Sequence, residues 1–167
     1  MAVHPNPWSL AAETIEEYLL AARHCLSYKK LDGGCLGYPS VLLLLCVVNA
    51  LGTYLRDRSV RIDGKNTPIA RGEPFRVLNH SLFGLKLAEK EIKKIEARYR
   101  NMLAHNGMIA TQSWLLPGKG SKPFIFEQEH VAVYVESFYD LVVAAWKNFD
   151  KSDIQTAVEK KIIKVNH

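Results

Sequence analysis

Residues 85–106 read LKLAEKEIKKIEARYRNMLAHN, and their hydrophobic pattern predicts one long amphipathic helix. The apolar positions alternate steps of three and four residues and so form one core-facing stripe: Leu85, Ala88, Ile92, Ile95, Tyr99 and Met102. A polar stripe runs along the opposite side of the same helix: Lys94, Arg98, Asn101 and His105. A helix with one apolar side needs neighbours that cover it, so this stretch predicts packing against other helices.

Three further helices are predicted along the chain, namely one that begins at Pro7 and that Asn6 can cap, one from Pro39 to about Arg58, and one from about Glu129 to Phe149. Residues 59–74 are polar and contain Gly and Pro, so they are predicted as a long loop. The segment around Pro117-Gly118 predicts a small β-hairpin or an extended excursion near residues 108–127. The predicted fold class is therefore all-α: an up-and-down bundle of about four main helices with this excursion.

The composition is that of an ordinary globular domain. Of the 167 residues, 48% are hydrophobic and 23% are charged, which excludes a disordered or low-complexity chain. We expect a single domain over residues 1–167, with a core over 7–149 and a C-terminal tail over 150–167 whose docking the sequence leaves open. The formal net charge of +5 is compatible with a polyanionic partner but does not prove one.

The cysteines and the apolar runs bear on the cellular compartment. Cys25, Cys35 and Cys46 are odd in number and include no CxxC pair, so we expect reduced thiols rather than disulfides or a zinc site. The most apolar run, Val41–Val48, is shorter than the roughly 20 apolar residues of a membrane-spanning helix. The first residues have neither the basic nor the apolar region of a secretion signal. We therefore expect a cytoplasmic protein that does not insert into a membrane.

The end of the 85–106 helix carries an arginine and a histidine in the string Tyr-Arg-Asn-Met-Leu-Ala-His-Asn-Gly, residues 99–107. Four residues separate Arg100 from His105. This string resembles the signature of the HEPN superfamily, which is an Arg, four to six residues and then a His, often with a polar residue directly after the Arg. The resemblance implies an α-helical bundle that is usually a homodimer and that in many members is a metal-independent ribonuclease.

The residue types suit the cleavage of RNA without a metal ion. Histidine titrates near neutral pH, so His105 is predicted to accept the proton of a ribose 2′-hydroxyl, and Arg100 to clamp the phosphate. Asn101 is predicted to orient His105 or to bind the phosphate, whereas Arg98 and Lys94 are predicted to bind the substrate. Arg98 also fits the family spacing and is the second candidate for the clamp. The expected product is a 2′,3′-cyclic phosphate, and neither a metal ion nor a cofactor is expected.

The relative positions of Arg100 and His105 favour a site shared by two chains. The two residues lie roughly 140° apart around the axis of an ideal helix, so a single helix does not focus them on one atom. Two copies related by a twofold axis can do so, and the hypothesis is a homodimer with the site at the subunit interface. The family suggests a toxin or an antiphage effector with an antitoxin or another partner protein. Some HEPN toxins carry a modified Tyr two residues after the histidine, where this chain has Gly107.

Other interpretations stay open. The alternative function is a catalytically silent HEPN module that binds RNA, a nucleotide or a protein, and a DNA-binding regulator is weaker because no helix-turn-helix pattern is present. A purely structural interpretation of the motif pairs Glu96 with Arg100 and lets His105 complement the helix dipole. Asn49, inside the apolar second helix, is interpreted as a structural polar residue.

Overall fold

The computed structural model describes residues 7–31 and 33–165. In chain order the described elements are α1 (Pro7–Ser27), α2 (Gly37–Tyr54), β1 (Ser59–Ile62), β2 (Lys65–Pro68), a 3-10 helix (Pro74–Asn79), α3 (Glu89–Ile95), a π-helix (Glu96–Asn101), α4 (Met102–Asn106), β3 (Ser113–Leu116), β4 (Phe124–Glu127), β5 (His130–Tyr134), α5 (Val135–Lys147) and α6 (Ser152–Val165). Buried residues from the helices and from two sheets form one hydrophobic core. Asn6, the predicted cap of α1, lies outside the described residues.

The prediction of an all-α fold is wrong, because two small β-sheets accompany the helices. The helical part of the prediction fits in part, since α1, α2 and α5 pack against one another around the core. The chain is therefore a mixed α/β fold with helices in the majority. Strands β3 and β4 lie within residues 108–127, where extended structure is predicted, whereas β1 and β2 lie in the predicted long loop and β5 in the predicted first turns of the last helix.

Helix α2 forms the centre of the core. Its side chains Leu44, Leu45 and Leu51 are fully buried, and Ser40 Oγ donates to the Ala22 carbonyl of α1 at 3.2 Å. Among the described residues, α2 is the one helix that is long and apolar enough to cross a membrane. Leu44, Leu45 and Leu51 are covered by the rest of the chain, as in a core helix, whereas Leu42 and Leu43 are partly buried.

Residues 59–74, predicted as a long loop, contain a β-hairpin. Strands β1 and β2 pair antiparallel, with Ile62 opposite Lys65, and Asp63 and Gly64 form the two-residue turn between them. The φ angles of Asp63 and Gly64 are 48° and 79°, and positive values at both positions are the feature that makes Asp-Gly a favoured hairpin turn. Val60 and Ile62 are buried and attach the hairpin to the core.

The second sheet corrects both the predicted hairpin near 108–127 and the predicted start of the last helix. Strands β3 and β4 do not pair with each other, because β5 lies between them, parallel to β3 and antiparallel to β4. Val131, Ala132 and Val133 of β5 are all buried, as expected for a central strand covered on both faces. The last long helix therefore begins at Val135 rather than at Glu129.

The C-terminal tail docks onto the domain. Helix α6 contacts α1 and α2, and its Ile154 side chain is fully buried in the core. Arg58, after α2, donates to the Asp153 carboxylate at 3.2 Å and adds an exposed ion pair to this contact. The core thus extends past residue 149, where the sequence left the question open.

Candidate active site

The Arg-His motif lies on a helical stretch that runs without a break from α3 through the π-helix to α4. This stretch begins at Glu89 rather than at the predicted Leu85. The Glu91 carboxylate caps its start, because it accepts a hydrogen bond from the Ala88 N–H at 2.7 Å. The stretch ends at Gly107, whose φ of 67° is the left-handed conformation that glycine adopts most readily.

The helix widens at the motif, because Glu96–Asn101 forms a π-helix rather than an α-helix. A π turn closes hydrogen bonds five residues apart, so it holds one more residue than an α turn and rotates the residues that follow. The next buried position after Tyr99 is accordingly Leu103, and Met102, which was predicted in the core stripe, is only partly buried. Single π turns within α-helices are found frequently at functional sites, and this one contains both Arg100 and Asn101.

Tyr99 fastens the π-helix to the three-stranded sheet. Its side chain is fully buried, and its hydroxyl lies 2.6 Å from Val131 O and 3.0 Å from Trp114 O. The single hydroxyl proton therefore serves two carbonyls from β5 and β3. The same burial raises the pKa of Tyr99 to about 12, because the phenolate loses its hydration inside the core.

A pH-dependent loss of stability follows from this tyrosine. The folded-state pKa lies above the value near 10 of an exposed tyrosine, so the folded state binds the proton more tightly and its stability falls as pH rises from 10 to 12. We expect Tyr99 to account for a loss of about 3 kcal/mol in the free energy of unfolding across this interval. Urea titrations at several pH values measure this loss. The loss should shrink in Tyr99→Phe and persist in Tyr38→Phe, whose ring is about half exposed; equal losses in both variants would contradict the assignment.

Lys94 and Arg98, the predicted substrate-binding residues, hold the helix against the turn between β4 and β5. Lys94 Nζ donates to Gln128 O at 2.8 Å and lies 3.6 Å from a Glu129 carboxylate oxygen. The Arg98 guanidinium donates to the Glu129 carbonyl and pairs with the Glu129 carboxylate at 3.3 Å. These contacts occupy Arg98 within the chain, so Arg100 is the better placed of the two arginines to bind a ligand.

Arg100 faces α2. Its Nη1 donates to Asn101 Oδ1 at 2.8 Å, so the contact made by Asn101 orients Arg100 rather than His105. Burial raises the pKa of Cys46 on α2 and of Glu96, and the positive charge of Arg100 opposes the rise at both groups. The raised pKa keeps the Cys46 thiol protonated near neutral pH, which disfavours Cys46 as a nucleophile.

Arg100 also lines a polar cavity of about 300 Å³. The cavity lies between α2, the π-helix and the segment that leads into the 3-10 helix. Its charged side chains are Arg56, Glu96 and Arg100, and α2 adds Asn49 and Thr53. The cavity therefore presents two guanidinium groups against one carboxylate, and a ligand of matching chemistry carries negative charge.

A close approach of two backbones fixes one wall of this cavity. Gly52 of α2 packs against Pro74, the first residue of the 3-10 helix, and a Cβ at Gly52 would lie 2.0 Å from the Pro74 carbonyl oxygen. Atoms in proteins do not approach this closely, so the contact requires a glycine at position 52. The spacing between α2 and residues 70–74 therefore depends on a single missing side chain.

His105 lies apart from the cavity. It is exposed in the last turn of α4, and its imidazole takes part in none of the hydrogen bonds or ion pairs formed among residues 7–31 and 33–165. This agrees with the prediction that His105 faces away from the core. Within one chain, Arg100 contacts Asn101, and Lys94 and Arg98 both contact Glu129. His105 belongs to neither group.

Sequence reasoning missed the contribution of α2 to the site. Asn49 and Thr53 are four residues apart and share one face of α2, and Arg56 follows three residues later, just after the helix. Polar residues with this spacing at the end of an otherwise apolar helix indicate a polar site on that face. Asn49, which was interpreted as structural, lines the cavity beside Arg100.

The chain was compared with models of protein families, with curated proteins and with solved structures, and none of them matches.

Proposed function

We propose that this chain is a metal-independent endoribonuclease of the HEPN type that acts as a homodimer. One observation carries the proposal. The π-helix holds Arg100 at the wall of a polar cavity, and five residues later, in α4, the His105 imidazole is exposed and forms no hydrogen bond or ion pair within the described part of the chain. A phosphate ligand and a general base are the two functions that RNA cleavage by the 2′-hydroxyl requires.

The proposed reaction is an internal transfer of the phosphoryl group. His105 accepts the proton of the ribose 2′-hydroxyl, and the 2′-oxygen attacks the adjacent phosphorus. The bond from phosphorus to the 5′-oxygen breaks, and that oxygen leaves as a 5′-hydroxyl after it takes a proton from water or from the imidazolium. Arg100, oriented by Asn101, stabilises the negative charge on the phosphate oxygens. The products are a 2′,3′-cyclic phosphate and a 5′-hydroxyl.

The homodimer supplies what one chain lacks. Arg100 lines the cavity and His105 does not, so a phosphate held by Arg100 needs an imidazole from elsewhere. A twofold axis near the motif helix brings His105 of one subunit toward Arg100 of the other. The reduced cysteines and an RNA substrate fit a cytoplasmic protein. A toxin or an antiphage effector, kept inactive by a partner protein, is the role that we propose for such an enzyme.

A cleavage assay in EDTA tests the proposed function. We expect the purified protein to cut total RNA, and to cut an oligoribonucleotide that contains the mapped cleavage site. The same oligonucleotide with a single 2′-deoxyribose at that site should stay intact, because it lacks the attacking oxygen. The new 3′ ends should be cyclic phosphates. Equal cleavage of the 2′-deoxy substrate, or 3′-hydroxyl ends, would rule out the proposed chemistry.

A second candidate function is a silent module that binds RNA without cutting it. Arg100 lines the cavity and His105 is separate from it, and this arrangement favours the alternative. Binding of a phosphate requires the arginine but does not require a general base. The test is whether RNA is bound tightly but recovered intact at protein concentrations where sedimentation detects a dimer. That result would contradict the proposed enzyme and support the binding module.

A further inference from the structure

The cavity beside Arg100 contains a second arginine that the HEPN motif does not include. Arg56 lies just after α2 and lines the same cavity of about 300 Å³ as Arg100. Its guanidinium forms none of the hydrogen bonds or ion pairs made among residues 7–31 and 33–165. Arg58, two residues later, is by contrast paired with Asp153. Arg56 is therefore a partly buried cation that is free to bind a ligand.

The remaining lining of the cavity fits a phosphorylated sugar. Asn49 offers an amide that can bind sugar hydroxyls or phosphate oxygens. The Thr53 hydroxyl donates its proton to the Asn49 carbonyl at 2.9 Å, so it can accept a hydrogen bond from a sugar hydroxyl. The cavity volume is at the small end of the range for ligand sites, so the cavity takes one nucleotide unit rather than a folded piece of RNA. Each guanidinium can bind two phosphate oxygens at once, and two guanidinium groups that line one cavity therefore favour a phosphate as the ligand.

We propose that Arg56 is a substrate-binding residue that holds, together with Arg100, one phosphate of the RNA strand inside this cavity. The inference rests on the proposed function, because it takes the RNA phosphate as the ligand of Arg100. Glu96 is the carboxylate that lines the cavity with them, and it opposes an anion there. Removal of Arg56 and removal of the Glu96 charge should therefore change phosphate affinity in opposite directions.

The Nε–Hε resonances of the arginine side chains report directly on this site. We expect those of Arg56 and Arg100 to shift together, with one Kd, when inorganic phosphate is added to ¹⁵N-labelled protein at constant ionic strength. Arg23, exposed on α1, is the matched control. Its resonance should shift no more on addition of phosphate than on addition of sodium chloride. In Arg56→Gln the Kd for phosphate that is obtained from the Arg100 resonance should rise about tenfold. In Glu96→Gln the resonances of Arg56 and Arg100 should both shift at lower phosphate concentrations than in the wild type.

A 2′-O-methyl oligoribonucleotide, which cannot be cut, tests whether the ligand is RNA. Arg56→Gln should raise its Kd about tenfold, and should reduce the slope of log Kd against log salt by about 0.7, the value for one lost phosphate contact on a single strand. Arg23→Gln should change neither quantity. Intact folding of each variant is checked by its thermal unfolding curve.

The outcomes separate this inference from the proposed function. RNA cleavage by a protein whose Arg56 responds to neither probe would overturn the inference alone. Responses of Arg56 and Arg100 to both probes, without cleavage, would support the inference and leave the binding module as the function. A response to inorganic phosphate but not to the oligonucleotide would overturn the inference, because the cavity would then be a site for a free anion.

Discussion

Replacing His105 with alanine is expected to lower the rate of RNA cleavage about 10²–10⁴-fold, the range that a general base contributes. His105 is exposed, and its imidazole forms no hydrogen bond or ion pair within the described residues 7–31 and 33–165. Its removal should therefore change the free energy of unfolding by no more than about 0.5 kcal/mol, so a loss of activity cannot be attributed to unfolding. The measurement is the initial rate on the mapped oligoribonucleotide, with a urea titration of the same sample.

His24→Ala is the matched control for this experiment, because His24 is also an exposed histidine in the last turn of a helix, α1. It should cleave at the wild-type rate. A rate for His105→Ala within twofold of wild type would remove His105 from the mechanism, and with it the comparison to the HEPN motif.

Mixing two inactive variants tests the shared site. If Arg100 of one subunit works with His105 of the other, a dimer of one Arg100→Ala chain and one His105→Ala chain contains one intact site and one doubly altered site. Refolding an equal mixture should then restore about a quarter of the wild-type rate, since half of the dimers are mixed and each has one of two sites. No recovery, with subunit exchange verified by differently tagged chains, would place Arg100 and His105 of one chain in each site.

Gly52→Ala is the second substitution with a large expected effect, here on stability. Alanine favours an α-helix by about 1 kcal/mol over glycine, so propensity alone predicts a gain. The new Cβ, however, would lie 2.0 Å from the backbone oxygen of Pro74, which cannot rotate away. Overpacking typically costs about 1–3 kcal/mol and occasionally more, and a backbone clash belongs at the upper end. We expect a net loss of at least about 2 kcal/mol in the free energy of unfolding.

The control for Gly52→Ala lies on the same helix. A Cβ at Gly37 would meet only the Leu115 side chain, at 3.3 Å, and the end of a leucine can move by a few tenths of an ångström. Gly37→Ala should therefore be close to neutral in a urea titration. Gly52 also sets the distance between α2 and residues 70–74, which both line the cavity. Gly52→Ala should therefore weaken phosphate binding by Arg56 and Arg100 even at temperatures where the variant stays folded. A stable Gly52→Ala protein would show that the α2–Pro74 contact can open.

The sequence predicts the helices well where the apolar residues follow the helical period alone. The stripe through Ile92, Ile95 and Tyr99 is buried as expected, and α2 occupies the core. The strand β5 was missed because Val131 and Val135 are four residues apart, which fits a helix, while Val131, Val133 and Val135 fit the alternation of a strand equally well. The β1–β2 hairpin did have a signal, the Asp63-Gly64 pair between two short runs.

The site was harder to predict than the helix that carries it. An ideal helix with 3.6 residues per turn does not describe the π-helix, so the angle that it predicts between Arg100 and His105 does not apply to the motif. The cavity forms only where α2 meets the π-helix, which depends on tertiary packing. The exposure of His105 and the position of Arg100 on the motif helix followed from the sequence, whereas the roles of Arg98 and Asn101 required the contacts of their side chains.

The hydroxyl group of Tyr99 also constrains the order of folding. Its two carbonyl partners, at Trp114 and Val131, follow it by 15 and 32 residues in the chain. These hydrogen bonds therefore require both β3 and β5 to be in place. A nascent chain that has been synthesised only as far as Gly107 would contain the whole Arg-to-His string and would still lack both carbonyls that hold Tyr99.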